Sequence, residues 1–108
     1  MKATLHTLLA AVLLASVASA AAADPQAGAA KAQVCQACHG LDGNSTVPDY
    51  PKLGGQRPDY LAKALRDYKS GARKDAVMGA MAQPLTTQDI DNLAAYYAAQ
   101  PAVLVVKR

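Results

Sequence analysis

Cys35-Gln36-Ala37-Cys38-His39 is the stretch of this 108-residue chain whose residue types and spacing most directly imply chemistry. Two thiols three residues apart can each add to one vinyl group on the same edge of a porphyrin. The next residue then projects an imidazole at the iron from one face. C-x-x-C-H is therefore the pattern of covalent haem c attachment, with His39 as the implied proximal ligand. Three other uses of these residues are weaker. Structural zinc takes four N/S ligands, and Cys35 and Cys38 are the only cysteines. A thioredoxin-like redox pair belongs beside a βαβ pattern, and the sequence shows none. A disulfide closing so small a loop leaves His39 unexplained.

The opposite side of the iron is less determined. The two histidines are His6 and His39, and His6 falls in a segment expected to be removed. Bis-His ligation within one mature chain is thereby excluded, leaving Met, Lys, Tyr, an N-terminal amine or no ligand. Apart from the initiator, the methionines are Met78 and Met81, between Gly71 and Pro84, in a segment able to fold over a flat cofactor. Met/His ligation raises the reduction potential and closes the iron to exogenous ligands, which suits electron transfer. Gly79 follows Met78, and its missing side chain would let the backbone lie close to the ring plane.

Helices must position these groups. Asp24-Pro25 is an N-cap followed by proline at the first helical position, predicting a helix from Gln26 to about Gln36. Gly28 costs that helix about 1 kcal/mol against Ala, a cost explained if another helix approaches closely. Residues 40–56 read as a loop, punctuated by glycines and by Pro48 and Pro51, and it is expected to wrap the porphyrin edge with Pro51 and Leu53 on the His39 side. Pro58 to Ser70 is a helix closed by Gly71, with Leu61, Ala64, Leu65 and Tyr68 on one apolar face. Thr86 to Gln100 is the last helix, opened by a variant capping box of Thr86 and Asp89, with Ile90, Leu93, Ala94 and Tyr97 on its apolar face. Pro101 stops it, and the tail 102–108 is open between packing back and remaining mobile.

Residues 1–23 have the layout of a secretory signal peptide: Lys2, a short apolar core at Leu8–Leu14, and small residues at 18–23. The apolar core is shorter than the ~20 residues of a spanning helix, so no stable membrane anchor is expected after processing. Residues 24–108 then form one small domain with no Phe or Trp and five Tyr. A chain this small has little apolar surface to bury, and a buried porphyrin would replace the missing core. Charge is segregated. Residues 52–74 hold Lys52, Arg57, Lys63, Arg66, Lys69, Arg73 and Lys74 against Asp59 and Asp67, a net charge of +5, between acidic flanks. This is either an ordinary solvated helix face or a docking patch for an acidic redox partner. The small net charge of the whole chain and the expected export argue against nucleic acid.

The motifs together resemble class I cytochromes c, specifically the small cytochrome c4/c5/c553-type group. The resemblance is carried by Val34 to Gly40 around the C-x-x-C-H, by Asp42-Gly43-Asn44, by Tyr50-Pro-Lys-Leu-Gly-Gly-Gln56, by Tyr60-Leu61, and by Leu85 to Ile90 followed by Leu93 to Ala98. It implies an all-α fold of three to four helices around one covalently bound haem, with the first and last helices crossing near Gly28 and the Tyr96/Tyr97 region. It implies that the Pro51 carbonyl accepts the second ring N–H of His39 and so orients it. It also favours Met78 over Met81 as the iron ligand, because Met78 stands seven residues before Leu85, where such proteins place their methionine. One departure is plain: c4 proteins carry two C-x-x-C-H motifs, and this chain carries one. The function implied is that of a periplasmic, non-enzymatic monohaem carrier passing one electron at a time, by resemblance between membrane respiratory complexes. The alternatives are a haem subunit fed by a dedicated dehydrogenase and, less favoured, a haem-based gas sensor.

Overall fold

The computed structural model describes residues 2–3, 10–16 and 22–104. Most of the expected signal segment, including His6, and the tail end at 105–108 lie outside the described residues. Among the described residues there are five helices: α1 (Pro25–Lys31), α2 (Gln33–His39), α3 (Pro58–Ser70), α4 (Ala76–Ala82) and α5 (Thr87–Ala98). No strand occurs among the described residues, and no helix there is long and apolar enough to cross a membrane.

The helix starts follow local chemistry. The Asp24 carboxylate accepts the Gln26 amide at 2.9 Å and opens α1. Thr86 Oγ1 accepts the Asp89 amide at 3.0 Å while Asp89 accepts the Thr86 amide at 2.9 Å, completing the box at α5. The bond from the Thr86 amide is the main reason the Asp89 carboxyl lies below its usual range. Asp89 also meets Lys31 at 3.3 Å, joining the end of α1 to the start of α5.

Two expectations about helices change. The single helix expected over 26–36 is two helices, divided at Ala32, which is fully buried. There the Cys35 amide reaches the Ala32 carbonyl at 2.9 Å, a tight i+3 bond that bends the chain. The second piece runs on to His39, so the entire C-x-x-C-H lies on helix α2. The methionine segment, read from sequence only as a fold-over, is helix α4. Its Asp75 N-cap accepts the amides of Val77 and Met78. The helix count thus exceeds the three to four expected, within the same all-α architecture.

α1 crosses α5, and α3 packs on α5 and α4. The crossing depends on Gly28. A methyl group there would lie 2.0 Å from the Asn92 carbonyl oxygen and 2.8 Å from Tyr96 Cβ. Asn92 secures the same junction, its Oδ1 accepting the Asp24 amide and the Gln88 side chain, each at 2.8 Å. Gly28→Ala is therefore expected to destabilise by ~2 kcal/mol or more, because overpacking against rigid backbone outweighs the ~1 kcal/mol gain in helix propensity. A thermal melt showing no loss of stability would contradict that packing.

The loop 40–56 is stitched to α5 and the tail. Gly43, with φ +78°, lies under the Tyr97 ring, and its carbonyl accepts the amides of Leu53 and Gly54. The Gly55 amide donates to the Tyr97 carbonyl at 3.0 Å. Asn44 decides the start of the tail: its Nδ2 donates to Pro101 O at 2.8 Å and its Oδ1 accepts Val103 N at 3.1 Å. The chain packs back at least that far. The buried core is small, built on Ile90 and Leu93 with Leu61, Leu85 and Tyr97 around them, and it forms one wall of a cavity.

Candidate haem-binding site

The cavity has an empty volume of ≈ 1060 Å³, part of it open to solvent. Its walls are mostly apolar, as small-molecule and cofactor sites require. α2 contributes Val34, Cys35 and His39; the loop contributes Pro51, Lys52, Leu53 and Gln56. α3 supplies Tyr60, Leu61, Ala64, Leu65 and Tyr68, α4 supplies Met78 and Met81, and α5 supplies Leu93, Ala94 and Tyr97. The apolar stripes of α3 and α5 that read as core in the sequence are also the cavity walls.

On α2 the spacing of Cys35, Cys38 and His39 is i, i+3, i+4, so all three share one helical face. Cys35 and His39 line the cavity; Cys38 is half-buried and is not among the lining residues. The two thiols are free rather than joined. No cluster of three or more His, Cys, Asp or Glu able to hold a metal ion is found among the described residues.

His39 is 6% exposed, and its Nδ1 lies 2.9 Å from the Pro51 carbonyl oxygen. A carbonyl only accepts, so Nδ1 carries the proton and Nε2 keeps its lone pair free for a metal. Tyr50 packs edge-on to the imidazole at 6.4 Å between centroids. The loop thus fixes both the tautomer and the orientation of the ring, as outer partners of a ligating histidine do.

Met78 and Met81 line the same cavity as His39 from another helix, and no Cα of α2 lies within 8 Å of one in α4. Met78 is half-buried and Met81 is 39% exposed. Gly79 does not line this cavity; a Cβ there would face the Tyr68 carbonyl on α3 at 3.9 Å, an ordinary contact. The preference for Met78 then rests on its register ahead of Leu85 and on its greater burial.

Tyr97, on the apolar face of α5, also brings a hydroxyl into the cavity wall. It is 4% exposed, and its hydroxyl, within the cavity wall, has no hydrogen-bond partner. The hydroxyl lies near enough to Cys35 Sγ to favour its thiolate without forming a full hydrogen bond to it. Burial pushes the Cys35 thiol up despite that neighbour, and Cys38 adds to the rise. Burial, followed by Cys35, likewise drives the Tyr97 hydroxyl far above the phenol range. An orphaned buried hydroxyl costs about 1–3 kcal/mol and points to a ligand that shares the cavity.

The cytochrome c family model matches residues 25–99. The chain belongs to the cytochrome c family. Among similar proteins, cytochrome c4 of Thiocapsa roseopersicina is 58% identical over 79 residues, covering 72% of this chain and 41% of that protein. Cytochrome c-554(548) of Halomonas halodenitrificans is 45% identical over 82 residues, covering 73% of this chain and 99% of that protein. The crystal structure of reduced recombinant cytochrome c4 from Pseudomonas stutzeri superposes with a TM-score of 0.71 at 45% identity, covering 74% of this chain and 47% of that one. The chain thus spans less than half the length of the c4 proteins it matches. A cytochrome c carries covalently bound haem c with its iron. The residues here fit that group: two thiols and an imidazole on one helical face, thioethers from another helix, apolar walls, and a buried hydroxyl awaiting a partner.

Proposed function

We propose that this protein is a periplasmic carrier of single electrons, built on one haem c. In this reading Cys35 and Cys38 hold the porphyrin, and His39 and Met78 bind the iron. The carrying observation is His39: buried, with Nδ1 committed to the Pro51 carbonyl at 2.9 Å, it presents Nε2 to a cavity that Met78 and Met81 also line. The bound iron supplies a one-electron couple. The chain's own residues exclude water, hold the imidazole tautomer and supply the sulfur. A count of one follows from the single C-x-x-C-H in the sequence. The signal-peptide-like layout of residues 1–23 supports the periplasmic placement.

An absorption spectrum with a redox titration tests this reading. One covalent haem per chain, not extractable into acid-acetone, with no titratable thiol, is the expected result. Extractable haem, free thiols, or ready CO binding at neutral pH would overturn it, the last in favour of a gas sensor.

Ion pairing on α3 supports a smaller docking patch than the seven basic residues of 52–74. Arg57 pairs with Asp59, Lys63 with Asp67 and Arg66 with Asp91, so much of the charge on α3 is neutralised locally. Lys52, Arg73 and Lys74 make no ion pair among the described residues, and Lys52 and Arg73 line the cavity. The docking cations proposed for an acidic redox partner are therefore those beside the cofactor. Electron transfer to such a partner is expected to slow as salt rises past the point where the screening length falls to about 8 Å, and Lys52→Gln should flatten that dependence. A bimolecular rate constant indifferent to salt would leave only a solvated face.

A further inference from the structure

Helix α4 carries both candidate methionines, yet little holds it in place. Among the helices it packs against α3 alone, and Ala82 is its only buried residue. Val77 is 63% exposed and Met81 39%. What joins α4 to α3 is a reciprocal pair of side chains. Lys69 Nζ, in the last turn of α3, donates to the Gln83 carbonyl at 3.1 Å and to the Leu85 carbonyl, on either side of Pro84. Gln83, the C-cap of α4, returns the contact: its Nε2 donates to the Lys69 carbonyl at 2.8 Å. Each side chain thus caps the carbonyl end of the other helix. Both ends carry unpaired carbonyls and partial negative charge, and the bonds from the ammonium are charge-assisted.

We propose that Lys69 and Gln83 are positioning residues that clasp the methionine-bearing helix against α3 and thereby set how easily the sulfur leaves the iron. The inference rests on the reading that a methionine of α4 is the sixth ligand, and it holds for Met78 or Met81 alike. Neither clasp residue touches the iron site directly. Their bonds lie on the outer side of α3 and α4, and opening them lets α4 swing away while α1, α2, α3 and α5 stay packed. A ligand that needs the open state binds with an apparent affinity proportional to the open population. Loss of the clasp therefore appears as easier displacement of the methionine.

The test uses the oxidised, haem-loaded protein titrated with imidazole, followed by loss of the far-red Fe(III)–S(Met) band, beside thermal unfolding followed by far-ultraviolet circular dichroism. Lys69→Ala is expected to raise imidazole affinity about tenfold or more, since charge-assisted bonds to two carbonyls are lost. Gln83→Ala should raise it less, and Lys69→Arg, which keeps the donors, should stay near wild type. The helical melting midpoint should move little in all three. Unchanged imidazole affinity in both alanine variants overturns the clasp. So does a rise accounted for by an equal loss of global stability, which would make Lys69 merely structural. If the wild-type protein lacks the band altogether, the methionine ligation itself falls, an outcome distinct from a normal band that no clasp variant perturbs.

Discussion

Met78→Ala abolishes the weak far-red charge-transfer band of Fe(III)–S(Met), lowers the reduction potential and opens the iron to CO. That is the expected result if Met78 is the sixth ligand. Axial-ligand identity spans about 0.8 V across haem proteins, so loss of the thioether should shift the potential by on the order of 100 mV. Met81→Ala should keep the band. Both side chains line the cavity, but Met81 is 39% exposed, and truncation there should cost less than the ~2 kcal/mol at the low end for a buried methionine. Absorption spectra of the two variants, recorded oxidised, decide the matter. A band that survives in Met78→Ala and vanishes in Met81→Ala reverses the assignment.

Removing the haem should unfold the protein. The cavity, ≈ 1060 Å³ with part of it open to solvent, adjoins a core whose only large, fully buried side chains among the described residues are Ile90 and Leu93. At ~24 cal/mol per Å³ of unfilled apolar space, leaving even ~200 Å³ empty costs ~5 kcal/mol. That reaches the lower end of the ~5–15 kcal/mol by which whole domains are stable. Wetting the cavity does not avoid the cost, because the apolar walls of α3 and α5 then face water. The variant Cys35→Ala/Cys38→Ala, produced without attached haem, is therefore expected to lose most of its far-ultraviolet helical signal and its cooperative melt at 25 °C. A sharp, near-native transition in that variant would show that the helices hold one another without the cofactor.

These two results bear on different bonds. The first concerns one coordinate bond whose donor sits on α4, a helix that packs among the helices against α3 alone and is held there through Lys69 and Gln83. The second concerns the packing of every helix that lines the cavity.

What the residues determine by themselves is local. Cys35, Cys38 and His39 lie within five positions, so their shared helical face follows from spacing alone. Asp24, Thr86 with Asp89, and Gly71 begin or end helices through bonds spanning at most four residues. For the same reason α3 has the bounds expected of it, and α5 begins at its expected cap. Helix α4 was missed because seven residues, rich in Ala and broken by Gly79, carry too little periodicity; Asp75, an N-cap signal, was there to be read. Only tertiary structure decided the rest, because each deciding contact joins residues far apart in the chain. Gly28 has meaning only against Asn92. The resemblance, rather than spacing, pointed to the Pro51 carbonyl that sets the His39 tautomer. Asn44 holds the tail at Pro101 and Val103, Asp59, Asp67 and Asp91 quench the basic face of α3, and Gly79 turns toward Tyr68 and away from the cavity. Helix formation is a matter of i to i+4 bonding, which one stretch of sequence can display. Which faces then meet depends on side-chain volume and on donors finding acceptors across the fold, and no local pattern encodes those partners.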